Sequence, residues 1–173
     1  NDANNQDGIR PKSIEVKLMN DKKEIAKQTL SEENNWTYTF ENLEKKENGK
    51  NINYTVEEVR VLGYTSVISG NVVNGYTITN THTPEKTSVK VNKVWNDANN
   101  QDGIRPKKID VILKANGEIV TGQKITLNET NQWSAEFTEL DKNKNGQEIK
   151  YTVEEVSIIG YQSNISGDAE KGY

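Results

Sequence analysis

The sequence predicts an all-β fold built as two tandem β-sandwich modules, and three observations carry that prediction. The first twelve residues, NDANNQDGIRPK, return letter for letter at Asn96 to Lys107, and from Trp36 onward the echo continues at a shift of 97 instead of 95. Apolar and polar residues alternate with period two in short stretches, the pattern of half-buried strands, and no stretch carries the period of an amphipathic helix. Clusters of Asn, Asp, Gly and Lys interrupt the alternation, as turns between short strands do. A near-constant period of domain length marks copies of one module, each large enough to fold alone.

In chain order, Ile14-Glu-Val-Lys-Leu18 alternates cleanly, and Ile109-Asp-Val-Ile-Leu113 repeats it with one slip. Trp36-Thr-Tyr-Thr-Phe40 sets three aromatics on one strand face, as Trp133-Ser-Ala-Glu-Phe137 sets its own bulky residues, so both tryptophans are expected in the core. Glu44–Asn51 and Asp141–Gln147 are turn-rich. Ile52-Asn-Tyr-Thr-Val-Glu-Glu58 and Ile149-Lys-Tyr-Thr-Val-Glu-Glu155 form the next strand, followed by the pairs Gly63-Tyr64 and Gly160-Tyr161. Two strands occur once each, Tyr76–Asn80 and Val89–Trp95. Thr83-Pro84-Glu85-Lys86 interrupts them with Pro and charge, which places the boundary between modules 1–84 and 85–173. So short a connection predicts modules stacked end to end with little freedom.

Composition narrows the function. Of 173 residues, 32% are hydrophobic and 28% charged, a thin core for the length. A net charge of −4 and an acidic isoelectric point argue against nucleic acid, whose phosphates need a basic face. No apolar run approaches a membrane span, so no membrane contact is expected of this segment. Without cysteine there is no disulfide and no thiolate metal site. The chain starts without Met and both ends fall inside the repeat, so it reads as a segment of something longer.

Strand alternation also sorts polar residues by face. Val89, Val91, Lys93 and Trp95 share one face, and Ile78 and Asn80 share another. Ile52, Tyr54, Val56 and Glu58 point inward with Glu57 outside, and Glu155 repeats Glu58. Each complete module would therefore carry an inward Lys on its first strand, an inward Glu on a middle strand and an inward Asn on its last. Unpaired buried charge costs several kcal/mol, so one account is a buried ion pair hydrogen-bonded to an amide. The other is chemical. Burial lowers the pKa of an amine and raises that of a carboxylic acid, and a neutral amine beside an amide carbonyl is a nucleophile facing an electrophile. A carboxyl beside them can shuttle protons to departing ammonia, and proximity does the rest.

These residues resemble the Cna B-type (CnaB) domain of Gram-positive cell-wall-anchored surface proteins and adhesins. The signs are the VNKVWND strand with Lys93, the Asp/Asn-rich turn closing on Arg-Pro, and the Trp-x-x-x-Phe strand. The YTVEE strand, the Gly-Tyr pair and Ile78-Thr79-Asn80-Thr81 complete them. Together they cover essentially the whole chain. The resemblance implies Ig-like sandwiches of the reverse immunoglobulin type and a spontaneous Lys–Asn isopeptide bond assisted by the Glu. Carried over, Glu58 and Asn80 belong to module one, and Lys93 and Glu155 to module two. Glu58 and Glu155 take the catalytic role of proton shuttle. The counterpart of Lys93 in module one falls before Asn1 and that of Asn80 in module two falls after Tyr173. Both modules are thus expected to be truncated at one end, with the crosslink partners of Lys93 and Asn80 outside this chain. No Lys93–Asn80 bond is expected within one chain, because a four-residue connection cannot set two strands parallel.

Other signals carry less. Asp2–Gly8 and Asp97–Gly103 invite a calcium reading, but glycine falls one place late for an EF-hand loop and the twelfth position is Ser13 or Lys108. A turn, with Arg10 and Arg105 bonding nearby carboxylates or carbonyls, fits better than a weak cation site, and neither metal nor cofactor is expected. His82 has no second His or Cys beside it in sequence and is expected as a partly exposed strand residue.

The expected function is a structural stalk segment of a surface adhesin, extracellular and anchored to the cell wall, with neighbouring repeats as partners. Host matrix would be met through a separate head domain. Self-crosslinking happens once per domain and is not turnover, so the chain is not expected to be an enzyme. The rival is a repeated ligand-binding module for host matrix protein or carbohydrate, with the duplicated Asn1–Lys12 loop as contact site.

Overall fold

The computed structural model describes every residue from Asn1 to Tyr173 and contains β-structure apart from one 3-10 turn, Glu32–Asn34. Its backbone divides into two compact units, Asn1–Thr83 and Pro84–Tyr173. No helix is long and apolar enough to cross a membrane.

In the first unit, β1 (Ser13–Asn20) pairs antiparallel with β2 (Lys23–Ser31) and, along its other edge, with β5 (Tyr54–Glu58). β3 (Lys46–Glu47) and β4 (Lys50–Asn51) make a two-residue hairpin within the expected turn region, closed by Asn48 and Gly49 at positive φ. β6 (Thr65–Asn71) and β7 (Gly75–Thr81) form a separate two-stranded sheet. A register shift at Leu18/Met19 turns both of these neighbouring residues inward, where strict alternation would send one to solvent.

The second unit repeats the three-stranded sheet and the small hairpin, while its second sheet is built from other strands. β9 (Lys108–Ala115) lies between β10 (Glu118–Asn128) and β14 (Tyr151–Glu155), with Asn116-Gly117 turning β9 into β10. β8 (Lys86–Asn92) pairs antiparallel with β11 (Ser134–Asp141), and β12 (Asn143–Lys144) and β13 (Gln147–Glu148) close a small hairpin. The core lies between the two sheets. Val89, Val91, Phe137 and Leu140 come from one, and Ile109, Val111, Leu113, Leu127 and Val153 from the other. Each unit is an Ig-like sandwich in layout.

Three expectations fail locally. Trp36 and Trp133 are not strand residues: both sit at φ 57, where their amides close a turn on the carbonyls of Ser31 and Asn128. β11 begins one residue later, at Ser134, and residues 37–41 belong to no ladder, since a strand requires a hydrogen-bonded neighbour. Trp36 is also not core, being 38% exposed along an open cavity of about 790 Å³ with Tyr38, Phe40 and Tyr54. The first strand of the second unit stops at Asn92, three residues before Trp95, although the Lys93 amide still donates to the Trp133 carbonyl. Three strands lacked a clear signal in sequence: β2, β6 and β10.

Candidate functional site

β5 and β14 carry the repeated YTVEE segment. Pairing with β1 and β9 fixes their faces, so Tyr54 and Val56, or Tyr151 and Val153, point inward, and Glu58 and Glu155 follow in phase. Above Glu58 in the first unit passes β7, which begins at the second Gly-Tyr pair. The Tyr76 hydroxyl donates to the Tyr54 carbonyl at 2.7 Å, and the Tyr173 hydroxyl to the Tyr151 carbonyl at 2.9 Å. Four residues beyond Tyr76, the Asn80 amide nitrogen donates to Glu58 Oε1 at 2.6 Å, so β7 and β5 run in step.

In the second unit the same glutamate meets the lysine: Lys93 Nζ donates to Glu155 Oε2 at 2.7 Å, with the side chains 14% and 8% exposed. Of the four candidate residues, the structure thus brings together Glu58 with Asn80 and Glu155 with Lys93. Lys93 and Asn80 belong to different units. Glu58 Oε2 and Asn80 Oδ1 are buried with no hydrogen-bond partner, an unsatisfied arrangement that folded proteins keep rare. Lys93 and Glu155 line a cavity of about 330 Å³ with Asn92, Ile109, Ser163 and Tyr173.

Backbone bonds fix how first and last strands meet. Asn1 donates its terminal amine to the Asn80 carbonyl and accepts from the His82 amide. Tyr173 donates to the Lys90 carbonyl and accepts from Asn92. Both patterns are those of parallel pairing. Carried across by the repeat shifts of 95 and 97, the two bridges describe one register.

The Asp/Asn-rich loop has a structural job in each copy. Arg105 grips Asp97 through Nε at 2.8 Å and through Nη2 at 2.5 Å, and the Tyr161 hydroxyl donates to the same carboxylate at 2.9 Å. Arg10, Asp2 and Tyr64 repeat this at 2.8, 2.5 and 2.7 Å. The guanidinium hydrogen bonds hold both carboxyls far below the usual carboxylate range, and burial together with Asp2 pushes the Tyr64 phenol up to about 12. With the oxygens of Asp2 and Asp97 so engaged, the loop is an Arg-pinned turn of three successive left-handed residues, Ala98, Asn99 and Asn100 in the second copy. Gly63 and Gly160 follow the same logic: each sits at positive φ, and a Cβ there would lie 2.6 Å from Ile9 or 3.0 Å from Ile104.

His82 is the residue that sequence reasoning missed. Its side chain is only 12% exposed, with Nε2 2.7 Å from Asp7 and Nδ1 2.8 Å from the Gly63 carbonyl. Two acceptors on the two ring nitrogens favour the imidazolium, and the Asp7 hydrogen bond raises the pKa above its ordinary value, aided by the Gly63 carbonyl and the Asp2 charge. The Tyr64 ring packs against it at 5.5 Å. A raised folded-state value stabilises fully below the ordinary histidine pKa and is lost as pH rises through the folded-state value. The first unit is therefore expected to melt at lower temperature at mildly alkaline than at mildly acidic pH, and Asp7→Asn to flatten that difference. Proton NMR titration of this single imidazole checks it, and a midpoint at or below the ordinary value contradicts it.

Comparison with known proteins bears on the family and the fold. The family described as Cna protein B-type domain matches residues 1–81 and again 89–173. A collagen adhesin of Staphylococcus aureus is 46% identical over 168 residues, covering 96% of this chain, and the chain spans 14% of that protein's length. The crystal structure of two B repeat units (B1B2) of the collagen binding protein of Staphylococcus aureus superposes with a TM-score of 0.83 at 42% identity. That match covers 97% of this chain and 45% of that one. With the family matched twice and the two-repeat fold reproduced, the chain belongs to the Cna B-type domain family as two tandem repeats.

Proposed function

We propose that the chain is a structural stalk segment of an extracellular, cell-wall-anchored adhesin, each complete module being closed by a spontaneous Lys–Asn isopeptide bond that a buried glutamate promotes. One observation carries the proposal: the same repeated glutamate holds the asparagine in one unit and the lysine in the other. The repeat supports this reading, because aligning the two glutamates in sequence sets the lysine of one unit and the asparagine of the other beside the same carboxylate. Four residues beyond Tyr76 stands Asn80, and Tyr173, the counterpart of Tyr76, is anchored to Tyr151 as Tyr76 is to Tyr54.

The step balances without a cofactor. The lysine ammonium gives a proton to the glutamate 2.7 Å away, and the free amine attacks Cγ of the asparagine side chain. The tetrahedral adduct takes that proton on its amide nitrogen, and ammonia leaves. The glutamate accepts the second proton from the lysine nitrogen and passes it to the departing ammonia, so one C–N bond has replaced another and ammonium is released. The reaction is intramolecular, so positioning supplies most of the barrier reduction. It occurs once per module, which makes the repeat a structural domain and not a turning-over enzyme. A covalent tie between terminal strands limits unfolding as a disulfide does elsewhere, in a chain with no cysteine.

The internal use of Asp2, Arg10, Asp97 and Arg105 accounts for the duplicated loop without a ligand. The discriminating experiment is surface plasmon resonance of this chain over immobilised collagen, fibronectin and host glycans. The stalk reading predicts no saturable binding at micromolar chain. Saturable binding abolished by altering the Asn1–Lys12 loop and its copy overturns it in favour of a repeated ligand-binding module.

A further inference from the structure

Lys93 has a second neighbour besides Glu155. Its Nζ lies 4.5 Å from the centroid of the Trp95 ring, within the range of a cation–π contact. That ring is held on several sides. Trp133 and Tyr161 meet it edge-on at 5.1 and 4.9 Å, and the Arg105 guanidinium lies 5.6 Å from its centroid. Arg105 is fixed in turn by its two bonds to Asp97, and Tyr161 by its hydroxyl on the same carboxylate. Asp97, Arg105 and Tyr161 thus form a rigid frame around Trp95, and Trp95 closes one side of the lysine amine.

In the first unit, Asp2, Arg10 and Tyr64 make the same bonds as Asp97, Arg105 and Tyr161. In the second unit these bonds hold the Arg105 guanidinium and the Tyr161 ring against Trp95. Trp95 lies three residues past the end of β8 at Asn92, and its ring is packed against Trp133, Tyr161 and Arg105. An unbranched lysine chain with four rotatable bonds otherwise loses its aim to solvent.

We infer that Trp95 is a positioning residue for the crosslink: held by the Asp97–Arg105–Tyr161 clamp, it screens the Lys93 amine from water on one side and leaves it facing Glu155 and the strand that carries the asparagine. This rests on the isopeptide reading, and it gives the duplicated NDANNQDGIRPK loop a purpose, as the scaffold that aims the nucleophile.

Two readouts test it. The first uses this chain with labelled lysine. The Lys93 ε-methylene protons should resonate upfield under the Trp95 ring current, lose that shift in Trp95→Leu, and lose much of it in Arg105→Ala while the core methyl spectrum stays in place. The second uses the chain extended after Tyr173 by a second copy of its own residues 77–84, which supplies the asparagine strand to the second unit. There the ammonia-loss rate, followed by intact mass, should fall about tenfold in Trp95→Leu, the size expected when the amine loses a contact that positions and desolvates it. Trp95→Phe, which keeps an aromatic face, should stay within about threefold of the parent. Parent-rate crosslinking in a folded Trp95→Leu chain, or a Lys93 shift indifferent to Arg105→Ala, overturns the inference. If the parent never crosslinks although the shift responds as expected, the isopeptide reading falls and takes the reactive role of Trp95 with it, leaving the clamp as a packing device.

Discussion

Phe137→Ala should destabilise the second unit by about 4 kcal/mol. Phe137 is 2% exposed, stands opposite Val89 in the β8–β11 pair and fills the space between the two sheets beside Leu113 and Leu127. Truncation removes its transfer energy and leaves a cavity, because the paired backbones on both sides are not free to collapse. A unit of this size holds about 5–13 kcal/mol in total, so the loss consumes much of it. Calorimetry of the whole chain should show the melting transition of the second unit moved down by about 15–30 °C, with the first unit unmoved. Phe40 supplies the internal control. It is the sequence counterpart of Phe137 but only half-buried beside the open cavity, in edge contact with Tyr38 at 5.0 Å. Phe40→Ala should therefore cost about 1–2 kcal/mol. Equal losses at the two positions would contradict the contrast in packing.

The second large effect is all-or-none. In a completed second unit, Glu155→Ala should leave the isopeptide unformed, since the lysine then has no acceptor for its proton and the departing amide nitrogen no donor. Removing the carboxylate also leaves the Lys93 ammonium beside only the Trp95 ring in a site where it is 14% exposed, so a loss of stability should accompany the loss of the bond. Glu155→Gln separates the two effects. It keeps the shape and a hydrogen-bonding oxygen but does not shuttle a proton, so it should fold better than the alanine variant and still fail to crosslink. Intact mass after prolonged incubation is the readout, and efficient bond formation in either variant removes the glutamate from its assigned role.

Much of the arrangement was legible because period two is rigid. Once Tyr54 and Val56 were placed inward, Glu58 had to follow, and the same count put Lys93 in line with Val89 and Val91. The tandem fold was legible from the repeat itself. Other features depended on information that local pattern does not carry. Trp36 and Trp133 alternate with aromatics as strand residues would, yet a turn closed by their own amides sets both left-handed. The bulge at Leu18/Met19 buries two neighbours at once, a choice made by pairing with β2. All seven residues of β6 are exposed, so no hydrophobic contrast marked it, and only its hairpin with β7 defines it. His82 meets Asp7 across 75 residues, and no spacing rule links them. The Arg-Pro after the Asp/Asn loop did point to a pinned turn, but its third member, the Gly-Tyr tyrosine, was visible only as an unexplained repeat.

The most direct test of the central account is the intact mass of the chain extended after Tyr173 by its own residues 77–84, compared before and after denaturation and followed by peptide mapping. The account predicts a mass short by one ammonia and a linked peptide pair joining Lys93 to the added asparagine. A mass equal to the plain sequence in a folded second unit would contradict it, and Lys93 with Glu155 would then be an ordinary buried ion pair.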